Sequence, residues 1–243
     1  VERGYAGARV IAVLPPAASQ MRLVRWPAAC WPDDPERILS LNEAELGLNQ
    51  ALQYLDISLV DLAQAPPASL MVTVPSNTLD RWIEVFSLAQ VSLDRMEAAK
   101  SCLCRGLIPI LRQQEAKALN AVLQLESDRC SLLVLEDGIP IYERRLPGAK
   151  EPEALMEALG RWQEFRSQFW SDRHRELLLF MHGSALRDET QAQNLASACA
   201  ASCQILDPLD QGWLVDVSPD LGIHPEGHSL AVLWGLAAAE VEA

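Results

Sequence analysis

The stretch Lys117–Leu146, KALNAVLQLESDRCSLLVLEDGIPIYERRL, decides how this chain folds. Two apolar runs, Val122–Leu125 and Leu132–Leu135, flank a polar turn, and Asp137-Gly138 then sends the chain back into Ile139–Leu146. The pattern is strand, turn, strand, tight turn, strand: a meander. Asp-Gly tolerates the positive φ that a type I′ turn imposes on both central residues, so the second connection is a hairpin. In many nucleotide-binding proteins the first turn of such a unit holds phosphate. Here that turn carries Gln124, Glu126 and Asp128, and no glycine. The shape of a phosphate hairpin is present and its chemistry is not.

The rest of the chain is long enough to build around this meander. At 243 residues it can form one large domain or two small ones with real cores. Hydrophobic residues make up 49% and charged ones 22%, the balance of a soluble folded protein. A net charge of −13 argues against a nucleic-acid surface and against docking directly on anionic lipid, both of which need clustered Lys and Arg. No uninterrupted apolar run reaches the length of a membrane span, and no basic-then-apolar leader opens the chain. Val1 stands where Met is usual, which suggests an excised fragment lacking its N-terminal part. Cys102, Cys104, Cys199 and Cys203 lie in apolar or helical segments, as reduced thiols do.

Ahead of the meander, Ala8–Leu14 reads as a buried strand closed by Pro15-Pro16, and Met21–Trp26 as another ended by Pro27. Apolar residues at 41, 44, 48, 51, 52 and 55 predict a helix over 38–55, weakened but not broken by Gly47. Short strands follow at Ile57–Ala63 and Leu70–Val74. Ser76 or Asn77 then caps a helix with Leu79, Trp82, Ile83, Phe86 and Ala89 on one face. Val91–Met96 alternates like a half-buried strand, and Ala98–Gln113 is helical with Pro109 expected to kink or break it.

Behind the meander, Pro152 opens a helix to about Asp172, with Leu155, Leu159, Trp162, Phe165 and Phe169 on one side. A strand at Glu176–Met181, a helix near Glu189–Ala201, strands at Gln204–Leu206 and Trp213–Val217 and a helix at His228–Ala239 complete the order. Antiparallel strands followed by helix, strand, helix, strand give half of an actin-like fold.

Little catalytic chemistry stands out. His224 and His228 lie four apart, but Pro225 and Gly227 intervene and no third ligand is evident, so a loop leading into a helix outweighs a zinc site. Cys102-x-Cys104 has neither redox nor zinc-knuckle spacing. Asp207, Asp210, Asp216 and Asp220 match no calcium loop and read as a solvated edge. Nucleophile elbows, Walker loops and dinucleotide fingerprints are missing, and the seven Trp are scattered at element ends.

At the meander the sequence resembles the PilM family, the actin-like cytoplasmic proteins of type IV pilus assembly. The family segment runs Ala-x-x-Asp-Ile-Gly-x-x-x-Thr, then Gly-x-x-x-Tyr; this chain has Ala121 to Cys130, then Gly138 to Tyr142. VIAVLPPAASQMRLVRWP looks like the crossover into the family's inserted subdomain 1C, LLLFMHGSALRD stands at its second phosphate-side turn, and SLAVLWGLAAA is similar to its closing helix. The first phosphate strand of the family would precede Val1. Actin-like proteins of type II secretion and reduced homologues from DNA-uptake and mannose-sensitive pili share the architecture.

The resemblance implies an α/β, actin-like (ribonuclease-H-like) mixed sheet with an inserted α+β subdomain, the N-terminal strands of the first half missing. Residues 1–20 would end subdomain 1A, 21–97 would be 1C-like, 98–117 a linking helix of 1A, and 118–243 the second half, 2A with a reduced 2B. Where the family holds Asp for hydrated Mg²⁺ this chain has Gln124, and where it has Gly it has Glu126, a carboxylate in the place of phosphate oxygens. Ser127 and Asp128 continue that turn, and His182-Gly183 keeps a single Gly of the second. No catalytic residue, metal or bound cofactor is expected, with Mg-ATP the alternative of an actin-like ATPase or sugar-kinase-class enzyme. The resemblance implies instead a cytoplasmic scaffold, peripheral to the bacterial inner membrane, that captures the tail of a PilN-type single-span protein and meets other pilus assembly proteins. Leu14, Pro15 and Leu103 border the expected peptide groove.

Overall fold

The computed structural model describes residues 9–25, 49, 52–60, 68–112, 118–169, 176–208 and 231–241. The chain divides into two compact units, Val1–Ser101 and Cys102–Ala243.

In the first unit, β1 (Val10–Leu14) leads through a 3-10 turn at Pro16–Ala18 into β2 (Gln20–Arg25). Strands β3 (Gln53–Val60) and β4 (Ala68–Pro75) follow, then helix α1 (Ser76–Leu88), β5 (Leu93–Ala98) and the start of α2 (Ala99–Leu111). β4 is the centre of an antiparallel sheet in the order β2-β4-β3, and β1 pairs parallel with β5. Arg9 crosses to Asp94 at 2.6 Å along the second pairing. The buried Lys100 at the start of α2 donates its Nζ to the Ser19 carbonyl at 2.9 Å, which fixes the connection between β1 and β2.

Four expectations for these elements are corrected. Residues 53–55, read as the end of a helix, belong to β3: each pairs with β4, and cross-strand partners outweigh a 3.6-residue stripe. Residues 38–48 of that helix lie outside the described residues. Helix α1 is capped by neither Ser76 nor Asn77; Pro75 occupies the N-cap at φ −57° without a side-chain bond, and the Ser76 amide donates to Leu52 at 2.9 Å. The apolar stripe of α1 is not buried: Leu79 and Phe86 are half-covered, while Trp82 and Ile83 are exposed. Pro109 does not break α2, because the helix ends at Leu111 and the bond that proline cannot donate falls within the closing turn.

The second unit is organised by the meander. β6 (Ala118–Gln124), β7 (Arg129–Glu136) and β8 (Ile139–Pro147) are antiparallel neighbours. Helix α3 (Pro152–Phe169) returns the chain to β9 (Glu176–His182), and helix α4 (Glu189–Ala198) to β10 (Ser202–Ile205). The sheet runs β10-β9-β6-β7-β8, with β10, β9 and β6 parallel. Asp137 and Gly138 take φ of +52° and +80°, as a type I′ turn requires, and Glu136 pairs with Ile139 across them.

Alternation along β6 assigns its faces. Leu119, Ala121 and Leu123 join a core closed by Leu155, Leu159 and Trp162 of α3 and by Ala192, Leu195 and Ala196 of α4. Val122 points the other way, with Leu133, Leu135 and Phe180, into a core shared with Leu103 and Leu107 of α2 and Ala231 of α5 (Ala231–Val241). Helices therefore cover both faces, as parallel strands demand. Each of these large side chains contributes about 1.5–3 kcal/mol on burial. Gly106 and Gly235 let α2 and α5 touch: a Cβ at Gly235 would lie 1.7 Å from the Cys102 carbonyl oxygen.

Candidate functional site

Ligands of open α/β sheets bind beyond the carboxyl ends of the parallel strands. Here β6 and β9 end side by side, with Gln124 in register with His182. The turn after β6 holds Glu126, Ser127 and Asp128, and the turn after β9 holds Gly183 and Ser184. The structure thus brings together all six turn positions singled out in the sequence: Gln124, Glu126, Ser127, Asp128, His182 and Gly183.

The geometry is that of a closed clasp. Glu126 Oε1 accepts from Gln124 Nε2 at 3.3 Å, and its other carboxylate oxygen accepts a short hydrogen bond from the Ser184 hydroxyl. Gln124 is in turn held by Ser131, whose Oγ donates to its Oε1 at 3.4 Å. One internal carboxylate thereby engages a donor from each turn. The backbone repeats the linkage: the Leu125 amide donates to His182 at 2.7 Å, and the Ala185 amide to Leu125 at 3.0 Å. Behind the first turn, Ala149 and Lys150 donate to the Glu126 and Ser127 carbonyls at 2.9 and 3.0 Å. Lys150 also reaches Asp128 at 2.7 Å, a pair so exposed, at 68% and 82%, that it adds little.

The glycines that remain serve this packing. Gly183 sits at φ +120°, and a Cβ there would meet the Leu125 carbonyl oxygen at 2.3 Å. Gly148 is needed for the same reason: its Cβ would approach the Ser127 oxygen at 2.3 Å. His182 is buried at 1% beneath the turn.

Ser184 and Ser131, which complete the clasp, were not among the sequence candidates. Ser184 follows the His182-Gly183 turn by a single position, and only the pairing of β6 with β9 shows that its hydroxyl faces Glu126.

The described thiols offer no reactive centre. Cys102, Cys104, Cys130, Cys199 and Cys203 are not joined in disulfides. Burial pushes the Cys199 thiol up to about 12, opposed in part by the nearby Arg166 guanidinium, and burial also raises Cys130 and Cys203. Among the described residues no three His, Cys, Asp or Glu are grouped to hold a metal, and no helix is long and apolar enough to cross a membrane. His224, His228, Asp210, Asp216 and Asp220 lie outside the described residues, as does the strand expected at Trp213–Val217; Asp207 follows β10 and is half-buried.

The three residues expected to border a peptide groove differ in access. Leu14 closes β1 at 3% exposure and Leu103 belongs to the core of the second unit at 5%, so neither offers a free side chain. Pro15 is exposed.

No family model and no curated protein matches the sequence. Solved structures do match. The "PilM-PilN type IV pilus biogenesis complex" superposes with a TM-score of 0.74 at 16% identity, covering 97% of this chain and 80% of that one. The chain has a PilM-type actin-like fold. Two weaker likenesses are a Bacteroides thetaiotaomicron protein with an actin-like ATPase fold (TM-score 0.47, 11% identity, 84% and 74% covered) and the cytoplasmic domain of EpsL, an inner membrane component of the Vibrio cholerae type II secretion system (0.45, 13%, 98% and 77%). The 118–146 strands form the expected meander, and it packs on α3 in one core.

Proposed function

We propose that this protein is a non-catalytic scaffold of type IV pilus biogenesis or a related secretion machine. In this reading it is cytoplasmic and held at the inner membrane by a partner, and it captures the cytoplasmic tail of a PilN-type single-span protein. The observation that carries the reading is the likeness of 97% of the chain to a PilM-PilN complex, at a TM-score of 0.74.

The Glu126 clasp supports the absence of catalysis. Phosphate binding needs open donors and positive potential between the turns. Here Gln124 and Ser184 are spent on an internal carboxylate, and the charge presented is negative. The alternative, an ATPase or sugar-kinase-class enzyme, needs Mg²⁺ held near a position that offers the neutral Gln124.

Calorimetry with a synthetic PilN-type tail peptide, run beside ATP turnover and thermal shift with Mg-ATP, separates the two. The scaffold reading expects saturable peptide binding and neither turnover nor a shift of several degrees, because a ligand of the native state must raise its stability. Turnover above a buffer blank, or a Mg-ATP shift without peptide binding, would overturn it.

A further inference from the structure

We draw no further inference here: the strongest candidate, the exposed apolar side chains of Trp82, Ile83, Val85 and Leu88 along helix α1 of the first unit, carries nothing because nothing in the structure shows what covers them.

Discussion

Replacing Glu126 by Ala should destabilise the second unit through the clasp rather than through packing. The carboxylate accepts from Gln124 and Ser184, and a hydrogen bond to a charged group contributes about 1.5–3 kcal/mol when well shielded. Ser184 is exposed and Glu126 half-buried, so solvent screens the Ser184 bond and its share falls to about 1 kcal/mol. Gln124 is only 9% exposed, and losing the acceptor for its Nε2 adds an unpaired donor at about 1–2 kcal/mol. The sum is a loss of about 2–3 kcal/mol, a fall in Tm of roughly 5–10 °C for a unit of this size. Urea unfolding followed by far-UV circular dichroism reads it, and a cycle with Ser184→Ala apportions it. The expected coupling between the two sites is about 1 kcal/mol. Additive losses, within about 0.3 kcal/mol, would show that the Glu126–Ser184 bond does not hold the turns together. An Ala variant more stable than the wild type would refute the clasp altogether, since repulsion between Glu126 and Asp128 would then dominate.

Gly235→Ala should cost about 3 kcal/mol, because its Cβ would lie 1.7 Å from the Cys102 carbonyl oxygen and backbone cannot step aside; a denaturant midpoint equal to wild type would contradict the helix contact. Gly183→Ala should destabilise by a similar amount, since φ +120° and a 2.3 Å approach to Leu125 both oppose a side chain, and it should do so without any nucleotide present. Cys199 is pushed up from an ordinary value of 9.0 to about 12, so the folded state holds its proton more tightly than the unfolded one. Its contribution is complete below pH 9 and falls as pH rises from 9 towards 12, by at most about 4 kcal/mol. A Tm that declines over this window, and declines less in Cys199→Ala, is the expected result. The native thiol should also resist iodoacetamide at pH 8 while the urea-unfolded chain reacts at once.

The meander was legible because its signals are local. A two-residue Asp-Gly turn sets the β7–β8 pairing next to it, up to the one-residue shift between Leu135 and Val134, and alternating Leu119, Ala121 and Leu123 declare which face is buried. Helix α3 was equally plain, since Pro152 marks its start and Leu155, Leu159 and Trp162 recur at helical spacing. The failures came where distant chain segments decide. Residues 53–55 continue a helical stripe in sequence, yet β4 offers each a strand partner. α1 carries an apolar stripe that predicts burial, but a stripe says only which side would be buried if something covered it.

The site shows the same division more sharply. Gln124 and Glu126 were readable as departures from the pattern that the resemblance implies, because charge and glycine are visible in single letters. The clasp was not readable, since it requires the hydroxyl of Ser184, 58 residues further on, to face a carboxylate across the ends of β6 and β9. An abandoned phosphate site left with open donors would bind stray anions and let its two turns move apart. Glu126 supplies from within the chain the negative charge that those donors would otherwise take from a ligand, and it joins the turns without one. The two turns are thus joined by side chains of the chain itself, which is what the scaffold proposed above would use to keep its shape.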